Sequence, residues 1–94
     1  MTWQSEHVRI NWTDRSIEHI AKHNVEPYEV EEGLFEDDPR INQTKKDRQN
    51  IFCQTITGRY LTIIVSYPTK SNKVRIITAR DMTKKEKQRY RSSK

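Results

Sequence analysis

The sequence predicts a small α+β domain in the order β-α-α-β-β-β-β-α, with an antiparallel sheet packed against helices. Three observations predict it. Apolar residues fall in short periodic runs, helical in spacing up to Phe35 and β-like beyond residue 40. The strands after residue 39 are joined by short connections, which favours an antiparallel meander over crossovers. A length of 94 residues leaves room for one core, so a single domain over 1–94 is expected, with 92–94 a frayed tail.

Each element has a local cause. Val8-Arg9-Ile10-Asn11-Trp12 alternates apolar and polar, as a short strand does. Thr13 fits a helix N-cap, with Asp14 in the first turn where a negative charge suits the helix dipole. Ile17, Ile20 and Ala21 form one stripe, Lys22 and His23 occupy the last turn, and Asn24 suits a left-handed closing position. Pro27 fits the first position of a second helix, where its missing N–H costs nothing. Glu29, Glu31 and Glu32 load the N-terminal half of that helix, and Val30, Leu34 and Phe35 supply its inner face. Asp37-Asp38-Pro39 ends it, because the residue before proline avoids helical geometry.

The second half reads as sheet. Residues 40–44 form a weak strand around Ile41, 45–50 a polar loop, and 51–57 a strand rich in β-formers. Thr57-Gly58 marks a tight turn, and Tyr60 to Tyr67 is the most apolar stretch, a central strand. Residues 68–73 connect to a last strand from Val74 to Ala79. Thr83-Lys-Lys-Glu86 matches a capping box, so a final helix starts there and runs to about Arg91. Trp12, Tyr60 and Tyr67 are assigned to the core, and Cys53 to inert packing.

Composition excludes several classes. One cysteine rules out a disulfide framework and a Cys-rich zinc site. No apolar run approaches a membrane span, and the start has neither the basic nor the apolar region of a signal peptide, so a cytoplasmic protein is expected. The hydrophobic fraction is only 32%, which makes a thin core that a partner or oligomerisation, homomeric or heteromeric, would help. The net charge of +5 hides a segregation. Residues 26–38 hold seven acids (Glu26, Glu29, Glu31, Glu32, Glu36, Asp37, Asp38) and no Lys or Arg. Residues 39–94 hold 15 Lys and Arg against three acids. The basic half suits phosphate, and the acidic segment is either a solvated helix face or a surface that meets a basic protein.

The motif order resembles one family. Trp12-x-x-Arg15-x-x-x-His19-x-x-Lys22-His23-x-Val25, Leu34-Phe35-x-x-Asp38-Pro39, Gly58-Arg59-x-Leu61, Arg75-Ile-Ile-x-Ala79-Arg80 and Met82-Thr83-Lys-Lys-Glu86-x-x-x-Tyr90 together resemble BrnT-type toxins. These are RelE-like ribonucleases of type II toxin–antitoxin modules. Arg15 stands where the family usually has Lys, His19 where it has Asn, and Asn24 where it has Gly. Arg48 is the nearest equivalent of an arginine common before the sheet. The resemblance implies a RelE-like two-layer domain and a metal-independent endoribonuclease that cleaves mRNA to stop translation and growth. It implies no cofactor, a cognate antitoxin as partner, and operator DNA bound only through the antitoxin complex.

Such chemistry needs groups that activate a 2′-OH, stabilise phosphoryl charge and protonate the leaving oxygen. Arginine forks suit the second task, which makes Arg48, Arg59 and Arg80 catalytic candidates with His23 as acid–base group. Arg75 is assigned to RNA binding, on the strand face opposite Arg80. Lys84, Lys85, Lys87, Arg89 and Tyr90 are the helical RNA-binding candidates, with Tyr90 equally suited to anchor the helix. His19 and His23 are spaced to share a metal, but no carboxylate motif accompanies them and no metal is assigned. Two other readings remain: a non-catalytic nucleic-acid-binding module, and a protein-interaction domain working through the acidic helix 26–38.

Overall fold

The structure is a computed structural model that describes residues 8–66 and 72–93. Tyr67, the start of the connector after it and Lys94 lie outside the described residues. The elements are β1 (Arg9–Ile10), α1 (Asp14–Ala21), α2 (Pro27–Phe35), β2 (Arg40–Lys45), β3 (Arg48–Gln54), β4 (Tyr60–Ser66), β5 (Lys73–Val74), β6 (Ile76–Asp81) and α3 (Lys84–Ser92). The fold is α+β, as expected. β2, β3, β4 and β6 form an antiparallel sheet in that order, and β1 pairs in parallel with β5 beside it.

The helix ends follow the expected chemistry. The Thr13 hydroxyl accepts the Ser16 N–H at 3.0 Å, and Asn24 closes α1 at φ 58°. Pro27 opens α2, where the Glu29 carboxylate accepts the Glu26 N–H at 3.0 Å. At α3 the capping box is complete: Thr83 Oγ1 accepts from Glu86 N–H at 3.2 Å, and Glu86 Oε1 from Thr83 N–H at 2.8 Å. The α1 stripe is narrower than its spacing implies, since Ile20 and Ser16 are buried while Ile17 is 38% exposed.

Three strand boundaries differ from expectation. The 45–50 loop is a turn at Lys46-Asp47, because Arg48, Gln49 and Asn50 pair with Ser66, Val65 and Ile64 and continue the ladder. β3 ends at Gln54, and the turn spans Thr55–Arg59, closed by Thr55 N–H to Arg59 O at 2.8 Å, with Gly58 at φ 97°. The last strand is split at Arg75. Its first part leaves β4 to pair with β1, and the β4–β6 register shifts between Ile64 and Val65.

Register sorts the side chains. Ile51, Ile63 and Ala79 align across three strands and, with Cys53, Leu61 and Val65, face Ile20 of α1 and Val30 and Leu34 of α2. These two layers hold the main core. Phe52 and Thr62 point the other way and meet α3, where Tyr90, Met82 and Tyr60 form a smaller cluster. α2 approaches the sheet most closely at Gly33, where a Cβ would collide with Cys53 Sγ. Gly33→Ala is therefore expected to destabilise the fold by about 1–2 kcal/mol despite the better helix propensity of alanine. Cys53→Ala should relieve most of that cost, measured by denaturant unfolding of the single and double variants.

Candidate active-site cleft

The capped start of α1 and the adjacent end of the sheet enclose a cleft of about 290 Å³. Thr13, Arg15, Ser16 and His19 line it from α1, and Asp47, Arg48, Ser66 and Arg75 from the sheet end, over Ile76 and Ile77. The fold explains this gathering. Arg15 and His19 are one helical turn apart and so share a face. Arg48 sits directly across from Ser66 in the β3–β4 ladder. Ser66 in turn donates its N–H to Arg75 O at 3.0 Å and accepts the Arg75 N–H on its hydroxyl at 2.8 Å. The break between β5 and β6 is thus held at the cleft wall, with the Arg75 side chain exposed.

The arginines divide into two kinds. Arg15, Arg48 and Arg75 are exposed, and among the described residues none of their guanidinium groups meets a carboxylate. Arg59 and Arg80 are committed elsewhere. Arg59 bonds Asp81 at 2.7 Å and Glu29 at 3.0 Å, and donates to the carbonyls of Asn24 at 2.7 Å and His23 at 3.2 Å. The Asp81 bond first, against the cost of burial, raises the pKa of Arg59 further and lowers that of Asp81. Arg80 holds Glu86 through its two terminal guanidinium nitrogens, at 2.7 and 3.1 Å.

His23 lies beyond the end of α1 and outside the cleft lining; its carbonyl serves the Arg59 bond. On α3, Lys84, Lys85 and Arg89 are exposed, while Lys87 and Arg91 lie over the Tyr60 ring at 5.6 and 5.3 Å. Tyr90 is buried, edge-on to Tyr60, and donates its hydroxyl to Asp37 at 2.7 Å. Burial, reinforced by Asp37, pushes its pKa well above the usual tyrosine range. Of the ten site candidates read from the sequence (His23, Arg48, Arg59 and Arg80 for catalysis; Arg75, Lys84, Lys85, Lys87, Arg89 and Tyr90 for RNA binding), the cleft brings together Arg48 and Arg75. It adds Asp47 and Ser66, which no sequence motif marks, and places Arg15 and His19 beside them. Among the described residues, no three His, Cys, Asp or Glu side chains gather as metal ligands would, and no helix is long and apolar enough to cross a membrane.

Residues 12–86 match the family described as ribonuclease toxin, BrnT, of type II toxin-antitoxin system. The chain belongs to the BrnT family. No curated protein and no solved structure matches it. As a BrnT protein it is a ribonuclease toxin, with RNA as substrate and an antitoxin protein as partner. The matched segment contains every residue that lines the cleft, whereas Lys87, Arg89 and Tyr90 lie beyond it.

The Glu86 node gives this BrnT domain an acid sensitivity. Burial alone would raise the Glu86 pKa, but bonds from Arg80, the Thr83 N–H and the Thr62 hydroxyl outweigh it and carry it down to about 2. A depressed carboxylate stabilises the fold above its unfolded value near 4.5, and that contribution is lost as pH falls toward 2. Glu86→Gln should therefore flatten the acid limb of a stability–pH curve and cost about 1–2 kcal/mol at neutral pH, discounted for partial exposure. Thermal melts between pH 2 and 7 check both.

Proposed function

We propose that this BrnT toxin cleaves mRNA as a metal-independent endoribonuclease, that its catalytic site is the α1–sheet cleft, and that cleavage stops translation and growth. One observation carries the site: Arg15, Arg48 and Arg75 surround a single cleft and, among the described residues, form no ion pair, while Arg59 and Arg80 are tied up in ion pairs. Unpaired guanidinium groups in one place keep their forks for an external phosphate.

The chemistry assigned to the cleft uses side chains that line it. Arg48 and Arg75 hold the two non-bridging oxygens of the scissile phosphate and stabilise the charge that builds there. Asp47, the one carboxylate among the described lining residues, accepts the 2′-OH proton. The 2′-oxygen bonds to phosphorus, and the bond from phosphorus to the 5′-oxygen breaks. His19 gives a proton to that oxygen. The products are a 2′,3′-cyclic phosphate and a 5′-hydroxyl. In this reading His19 takes the role first given to His23, and Arg59 and Arg80 hold the fold. Lys84, Lys85 and Arg89 offer charge to the flanking RNA backbone, and Tyr90 anchors their helix. The antitoxin partner confers operator binding on the complex, and the substrate places the toxin in the cytoplasm.

The test is cleavage of purified mRNA in excess EDTA. Cleavage with cyclic phosphate ends is the expected result. Activity that appears only on adding a divalent cation removes the metal-independent step, and RNA that is shifted in a salt-dependent way but left uncut favours a binding module.

A further inference from the structure

The largest exposed apolar side chains among the described residues are Ile56, 70% exposed, and Tyr28, 60% exposed. They share one surface. Tyr28 and Glu32 lie one turn apart on α2, and Glu32 Oε1 accepts the Ile56 N–H at 3.1 Å. The hairpin tip that carries Ile56 is firmly held. Gly58 N–H bonds Thr55 O at 2.9 Å, Gln54 Nε2 bonds Gly58 O at 3.2 Å, and Gln54 N–H bonds Asp37 at 2.8 Å. Ile56 is thus displayed on a braced turn and clipped to α2, an arrangement that presents an apolar side chain to a partner at little entropic cost.

The surroundings define the partner. Glu31 and Glu32 share the α2 face of Tyr28, Glu26 and Glu36 cap the helix ends, and among the described residues none of the four forms an ion pair. Such a field repels an RNA backbone and attracts a basic polypeptide. It belongs to a part of the molecule that shares no residue with the arginine cleft. Resting on the toxin reading, we infer that the Tyr28–Glu32–Ile56 surface is the antitoxin's anchoring site, and that it takes a basic segment carrying apolar side chains. Affinity is then separate from blockade. The antitoxin grips the acidic face and reaches the cleft by extension; the domain is 32 Å in its longest dimension, a span that about ten extended residues cover.

The experiment uses the full chain and the purified product of the antitoxin gene of its toxin–antitoxin module. The Tyr28→Ser/Ile56→Ser double variant changes exposed positions, so folding is preserved. Expected are native RNA cleavage and growth arrest, at least tenfold weaker binding of that product, and growth arrest that its co-expression no longer relieves. Native binding should also weaken as salt rises. Equal binding by native and double-variant chains, whether tight or absent, overturns the assignment. So does loss of RNA cleavage in the folded double variant, which would make this surface part of the substrate site. Failure of the native chain itself to cut RNA counts against the ribonuclease reading alone, because the binding comparison does not depend on cleavage.

Discussion

Arg75→Ala is expected to abolish growth arrest and slow RNA cleavage by at least about 100-fold while leaving the fold intact. The structural side of this expectation rests on what Arg75 does for the protein. Its N–H and carbonyl fix the junction of β5 and β6 to Ser66, and alanine keeps both bonds. Its side chain is exposed and meets no carboxylate among the described residues, so its removal should change stability by no more than about 0.5 kcal/mol. The catalytic side rests on charge. Two guanidinium groups facing one phosphate stabilise charge that exists only in the transition state, and loss of one such preorganised donor typically costs about 10²–10³ in rate. Arg48→Ala should behave in the same way. The double variant should fall well short of the product of the two effects, since in the proposed site both groups serve one phosphate. Arg75→Lys should recover only part of the rate, because an ammonium keeps the charge but not the fork. Initial rates on a defined RNA, paired with thermal melts, decide the matter. A native rate in Arg75→Ala would remove the cleft from the mechanism.

How far the sequence leads depends on whether the determining contacts are local. Thr13, Pro27 and the Thr83–Glu86 box act within one helical turn, so all three helix starts were readable. The start of β3 was not. Arg48-Gln49-Asn50 has no β-forming composition and becomes strand because Ile64, Val65 and Ser66 pair with it. The split at Arg75 has no local mark either, since it arises from the pull of β1 on Lys73 and Val74. The same limit governs the site. Sequence shows that an arginine is present, not whether its charge is already spent. Arg59 meets Asp81 and Glu29, which lie 22 and 30 residues away. Arg48 and Arg75 look no different in the sequence and, among the described residues, form no ion pair. Which histidine lines the cleft was within reach: a helix counted from the Thr13 cap puts Arg15 and His19 on one face and ends before His23.

Arg59→Ala should weaken toxicity as well, but by destabilising the protein. Glu29 is 8% exposed, and among the described residues its carboxylate has two partners, the Glu26 N–H and the Arg59 guanidinium. Alanine leaves that carboxylate buried with one bond. It also strips the donors from the His23 and Asn24 carbonyls, which close the turn between α1 and α2. Losing one partner of a largely buried pair costs more than the pair contributes, and about 2–4 kcal/mol is expected here. A domain of this size holds about 5–15 kcal/mol in all, so the melting temperature should drop by roughly 10–25 °C. Asp81→Ala removes the other ion pair of Arg59, yet Asp81 is 65% exposed, and a cost below about 1 kcal/mol is expected. Arg59→Ala and Arg75→Ala would both reduce toxicity in a growth assay. They separate when cleavage per folded molecule is measured at low temperature, where Arg59→Ala should approach the native rate and Arg75→Ala should not. A folded Arg59→Ala protein with no turnover would return Arg59 to the catalytic group and break the division between paired and unpaired arginines on which the cleft assignment stands.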